Sequence, residues 1–194
     1  MTQTKKNSYK HWRLEIDADK IAWLYADKAK ASANSLSEAM LKELQDIVND
    51  LEGDPVRGLI ILSAKPSGFI AGADINELAQ AKTVEQAAEF IRLGHSVTNR
   101  IEALRFPTVA LIHGFCMGGG LELALACRYR IAQDDPSTKL GLPEVKLGIH
   151  PGFGGSARLP LQIGAPAAMD MMLSGRSLSA RAAKKLGVID YAVP

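Results

Sequence analysis

Within residues 106–133, FPTVALIHGFCMGGGLELALACRYRIAQ, a buried strand pattern runs into three consecutive glycines, then helix formers, then a second β-rich segment. Pro107 opens the first strand, Thr108 to Ile112. The pattern then predicts a helix over 119–128 and a strand over YRIAQ. A strand, a helix and a strand in so short a span call for a layered α/β structure with crossovers rather than a helical bundle.

The rest of the chain repeats that alternation. HWRLEID and IAWLYAD, separated by Ala18, Asp19 and Lys20, read as an antiparallel hairpin. From Ser35 the period changes: Leu36, Met40, Leu44, Ile47, Val48 and Leu51 share one helical face, and Gly53 and Pro55 end the helix. VRGLIILSA, residues 56–64, is a buried strand. A short helical turn is expected from Asp74 to Leu78 and a long helix from Val84 to Leu104. Further helices are expected near Gly155 to Ile163, Ala165 to Leu173 and Ser179 to Leu186, followed by a strand in VIDYAV.

With 194 residues and 47% apolar composition, one core suffices and residues 1–194 read as one domain. A formal charge of +2 without a basic stripe excludes nucleic acid as the expected partner. Cys116 and Cys127 are the only cysteines and read as buried thiols, which fits a reducing, cytoplasmic location. The polar start MTQTKKNSYK lacks a signal-peptide core, and no apolar run is long enough to span a bilayer.

Two small-residue loops follow predicted strands: SGFIAGADI, residues 67–75, and GFCMGGGLE, residues 114–122. Small side chains let a ligand approach the backbone, and the first turn of a helix has unpaired amides. Two such loops at corresponding strand ends can aim one N–H each at a single oxygen, which stabilises negative charge without a charged side chain. The glycine spacing is no dinucleotide fingerprint, and the lysine and hydroxyl residue of a Walker loop are absent.

Two acids stand out beside these loops. Glu122 lies in the first turn after the triplet, where it either complements the helix dipole or does chemistry. Glu144, in LGLPEVKLGIHPGFGG, is set among apolar neighbours. Brought together, the two carboxylates could hold one water and divide base and acid roles, each tuned by burial and by its neighbour. That combination suits addition of water to an activated double bond, or proton transfer next to a carbonyl, and needs no metal. His150 is secondary beside a carboxylate pair. His11, His95 and His113 have no zinc spacing, and neither Ser156 nor Cys116 sits in a nucleophile elbow. Met169, Met171 and Met172 suit helix packing or the wall of an acyl pocket.

Together SGFIAGADI, FPTVALIHGFCMGGGLELALACRYRIA and TKLGLPEVKLGIHPGFGGSARLP resemble the enoyl-CoA hydratase/isomerase, or crotonase, family from about His11 onward. The wording is most similar to the hydratase/isomerase region that opens the multifunctional fatty-acid oxidation proteins. The resemblance implies a crotonase-like spiral of repeated β-β-α units. It implies reversible hydration of trans-2-enoyl-CoA to 3-hydroxyacyl-CoA in β-oxidation, with Glu122 and Glu144 positioning the water. The amides of Ala71 and Gly119 are expected to bind the thioester carbonyl. Gly72, Ala73, Asp74, Ile75 and Gly118 are expected along the CoA path, with Asp74 as an alternative helix cap, and Lys28 and Lys30 as candidates for CoA phosphates.

CoA enters as part of the substrate, and no separate cofactor is implied. A homo-oligomer or a larger fatty-acid oxidation complex is the expected assembly. Rival readings are a 3-enoyl to 2-enoyl isomerase, in which Glu144 moves the proton, another crotonase-family acyl-CoA enzyme, or an acyl-CoA-binding or assembly module without turnover. Family domains continue past GVIDYAVP into further helices, so the chain reads as C-terminally truncated.

Overall fold

The computed structural model describes residues 9–194, and the polar stretch 1–8 lies outside the described residues. The main sheet has six strands in the order β1 (Trp12–Ile16), β2 (Ile21–Ala26), β3 (Gly58–Ser63), β4 (Thr108–Ile112), β6 (Tyr129–Gln133) and β9 (Tyr191–Val193). The expected hairpin is present, with Trp12 opposite Ala26 and Ile16 opposite Ala22. All other neighbours in this sheet are parallel. Parallel strands need helices to carry the chain back across the sheet, which is why α1 (Glu38–Gly53) and α3 (Val84–Ala103) are the long crossovers.

Helix α1 buries Met40, Leu41, Leu44, Ile47, Val48 and Leu51 along one face. The helical period anticipated this face, but the helix starts later than Ser35. The Ser37 hydroxyl caps it by accepting the Met40 N–H at 3.2 Å. The turn after Asp74 extends into α2 (Ile75–Gln80). The glycine triplet opens α4 (Gly119–Ala126), in which every residue is buried, as befits a helix enclosed by protein on all sides. The chain then continues through α5 (Gly155–Ile163), α6 (Ala165–Ser174) and α7 (Ala180–Leu186).

A second sheet was not anticipated. It joins β5 (Phe115–Met117), β7 (Lys139–Gly141) and β8 (Ser177–Leu178), with β5 and β7 parallel. Strands of two or three residues carry too few alternations to stand out from a loop. Their effect is large: β5 immediately precedes the triplet, and β7 leads into the Glu144 turn.

Candidate active site

Strands β3 and β4 are parallel neighbours, so the loops that follow them emerge at the same edge of the sheet. Bridges Gly68–Gly114 and Ile70–Cys116 zip these two loops together. The three glycines of the triplet then serve three separate geometries. Gly118 has φ 51° and ψ −128°, a conformation that side-chain-bearing residues avoid. A Cβ on Gly119 would lie 3.1 Å from the Phe153 ring and 3.3 Å from the Ala73 nitrogen, and one on Gly120 only 2.3 Å from the Ile70 carbonyl oxygen. The triplet therefore lets α4 press its start against the 70–73 loop.

The structure corrects one expectation about that loop. The Ala71 N–H donates to the Asn34 carbonyl at 2.8 Å, so it is engaged away from the cavity. Ala73 is the residue whose nitrogen comes beside Gly119, and among the described residues no acceptor meets its N–H. Gly119 is the first residue of α4, so its N–H has no acceptor within the helix either. These two amides converge, two positions further along the loop than the sequence reading placed the first of them.

Glu122 is 2% exposed. Its Oε1 accepts the Phe153 N–H at 2.8 Å and the Gly155 N–H at 2.7 Å. Burial pushes the carboxyl above the ordinary glutamate range, and these two amides pull it back toward ionisation. The loop that supplies them is itself fixed. The Phe153 carbonyl accepts from Thr98 Oγ1 at 2.8 Å and from Arg158 Nη1 at 3.0 Å, and Arg158 also holds Glu102 and Asn99.

Glu144 opens a single 3₁₀ turn, Glu144–Leu147, after Pro143. Its Oε2 is buried without a hydrogen-bond partner among the described residues, and its Oε1 lies against Gly118. Burial, reinforced by the negative charge of Glu122, pushes this carboxyl up to about 7. The two acids are thus differentiated by their surroundings, one held by amides and one left poised to hold a proton.

Both carboxylates open onto one cavity of about 100 Å³, which Ala73, Gly119, Phe90 and Phe153 also line. Ala71, Gly72, Ile75 and Gly118 border it as well, and so does His150, whose Nδ1 lies 3.1 Å from the Pro151 carbonyl. Asp74 takes its alternative role: it caps α2 through the Asn76 N–H and pairs with Lys28 at 2.6 Å. Lys28 also reaches Ser35 Oγ at 2.8 Å, so its ammonium is engaged inside the protein, contrary to its expected place at a CoA phosphate. Neither Lys28 nor the exposed Lys30 lines the cavity. The methionines of α6 are also absent from its wall, with Met171 fully buried in the core. Both cysteines are free, buried thiols whose ionisation burial opposes.

Comparison with known proteins places this geometry in a family. The family model for enoyl-CoA hydratase/isomerase matches residues 27–194. The chain is 47% identical over 180 residues to the fatty acid oxidation complex subunit alpha of Aliivibrio fischeri, and 46% over 186 residues to that of Vibrio vulnificus. These alignments cover 92% and 95% of this chain but 26% of each relative, so the chain spans about a quarter of their length. Among solved structures, the enoyl-CoA hydratase of Bacillus anthracis superposes with a TM-score of 0.86 at 35% identity, covering 95% of this chain and 70% of that one. That of Thermoplasma volcanium gives 0.88 at 33%, covering 95% and 72%. The α/β architecture is crotonase-like, and the chain belongs to the enoyl-CoA hydratase/isomerase family.

Proposed function

We propose that the chain hydrates trans-2-enoyl-CoA reversibly to 3-hydroxyacyl-CoA. The observation that carries this reading is the opening of Glu122 and Glu144 onto one cavity beside the Ala73 and Gly119 amides. In the reaction the thioester carbonyl accepts both N–H groups, so electron density drawn from the double bond collects on an oxygen already met by donors. Glu122, held toward its ionised form by Phe153 and Gly155, takes a proton from water as the water oxygen bonds C3. Glu144, whose carboxyl is held up to about 7, delivers a proton to C2. One water is consumed: its oxygen and one hydrogen remain on C3, and its other proton, left on Glu122, passes through solvent to return Glu144 to its neutral form before the next turnover.

CoA is carried in as part of the substrate, and the chemistry calls for no other cofactor. The fatty acid oxidation complex subunits among the relatives support a place for the reaction in fatty-acid oxidation, within a larger assembly. A second reading rests on Glu144 alone: a carboxyl with one unpartnered buried oxygen can move a proton between C4 and C2 and isomerise 3-enoyl-CoA. Incubation with trans-2-enoyl-CoA, following loss of the enoyl absorbance and appearance of 3-hydroxyacyl-CoA, tests the main reading. Binding without either change would favour a module that holds acyl-CoA without turning it over.

A further inference from the structure

We propose that Asn34 is the positioning residue that turns the Ala73 N–H toward Gly119. This rests on the oxyanion role proposed above for that amide. Asn34 is 1% exposed and does not line the cavity, yet it ties the ends of β2 and β3 to the start of the loop. Its Nδ2 donates to the Ala26 carbonyl at the end of β2 at 3.0 Å, to Ser63 Oγ at the end of β3 at 2.8 Å, and to the Phe69 carbonyl at 3.0 Å. Its Oδ1 accepts the Lys28 N–H at 2.9 Å. Two N–H groups shared among three oxygens on one side, with an N–H donor on the other, fix which way the amide faces.

The backbone completes the strap. The Asn34 carbonyl accepts the Ala71 N–H at 2.8 Å, the Leu36 N–H donates to the Gly72 carbonyl at 2.8 Å, and the Leu36 carbonyl accepts the Asp74 N–H at 2.9 Å. Leu36 and Ala73 are the bridge pair. In a parallel bridge one residue makes both bonds, here Leu36 to the peptides flanking Ala73, and the N–H of the other residue points the other way. Gly72, at φ 114°, supplies the irregularity that lets Ala71 and Asp74 both face the strap. The Ala73 N–H is then presented on the opposite side, where Gly119 lies.

A carbonyl oxygen that gains charge needs its donors at hydrogen-bond distance, so a strap that slackens by a fraction of an ångström weakens the transition state more than ground-state binding. Asn34→Ala should lower the hydration kcat about 10- to 100-fold with KM changed less than about 3-fold, the scale of misplacing one oxyanion donor. The readout specific to positioning is the carbonyl stretch of bound butanoyl-CoA labelled with carbon-13 at the thioester. It should be strongly red-shifted in the wild type and shift much less in Asn34→Ala. If Asn34→Ala does not fold, Ser63→Ala removes one of the three acceptors and should show smaller changes of the same sign. A wild-type red shift and kcat retained in the variant that folds would overturn the role of Asn34 alone, as would a lost kcat with an unchanged red shift. No red shift in the wild type would overturn the oxyanion site and, with it, this role.

Discussion

The Glu122 carboxylate and the Gly155 backbone meet at 2.7 Å, and the contact admits nothing larger than glycine. A Cβ on Gly155 would lie 2.8 Å from Glu122 Cγ. One carboxylate oxygen is thereby committed to the protein. Its orientation comes from the 153–155 loop rather than from its own helix.

Arg158 underpins that loop. It is 9% exposed and donates to the Phe153 carbonyl while its other nitrogens hold Glu102 and Asn99. Arg158→Met should cost about 1 kcal/mol in urea unfolding, because the buried Phe153 carbonyl loses one of its two donors while the exposed Glu102 and Asn99 can turn to water. It should also lower hydration kcat by about 10-fold as Phe153 and Gly155 loosen their hold on Glu122.

The third glycine of the triplet is a packing requirement. Gly120→Ala sets a Cβ 2.3 Å from the Ile70 carbonyl oxygen, both being backbone-anchored, so α4 must move. Overpacking of this kind costs about 1–3 kcal/mol, measurable by thermal or urea unfolding. Movement of α4 also carries Gly119 away from Ala73, so kcat should fall together with stability.

Much of this site was legible beforehand. Glu122 and Glu144 were recognisable from an acid behind a glycine triplet and an acid among apolar residues, and both reach the same cavity. The crossover order also followed from local periodicity. The choice between Ala71 and Ala73 did not, because it depends on pairing with residues 34–36, which no local pattern reveals. Asn34 carries no local signal for the same reason: in the sequence it is one amide in a loop of serines and alanines. Lys28 offered a charge, but its partner Asp74 lies far along the chain.

The proposed reaction gives Glu144 the alkaline limb. In the proposed role of proton donor it acts in its neutral form, so hydration kcat/KM should fall as pH rises through about 7. Glu144→Gln should abolish that limb together with most of the activity. A profile flat from neutrality upward in the wild type would remove Glu144 from the acid role.

The same group links stability to pH. Its carboxyl is raised from 4.5 to about 7 in the folded protein, so the folded state holds this proton more tightly than the unfolded chain. The resulting stabilisation is fully present below 4.5 and is lost as pH rises through about 7. Subtracting the unfolding free energies of Glu144→Gln from those of the wild type should expose a change of about 3 kcal/mol across that window.

The most direct measurement follows the water itself. In water enriched with oxygen-18, the wild-type chain incubated with trans-2-enoyl-CoA should place the label on C3 of the 3-hydroxyacyl product. Glu122→Gln preserves an oxygen for the Phe153 and Gly155 amides but removes the base, so label incorporation should slow by about 100-fold or more with the fold intact. Incorporation at the wild-type rate in Glu122→Gln would contradict a water site built on the two glutamates.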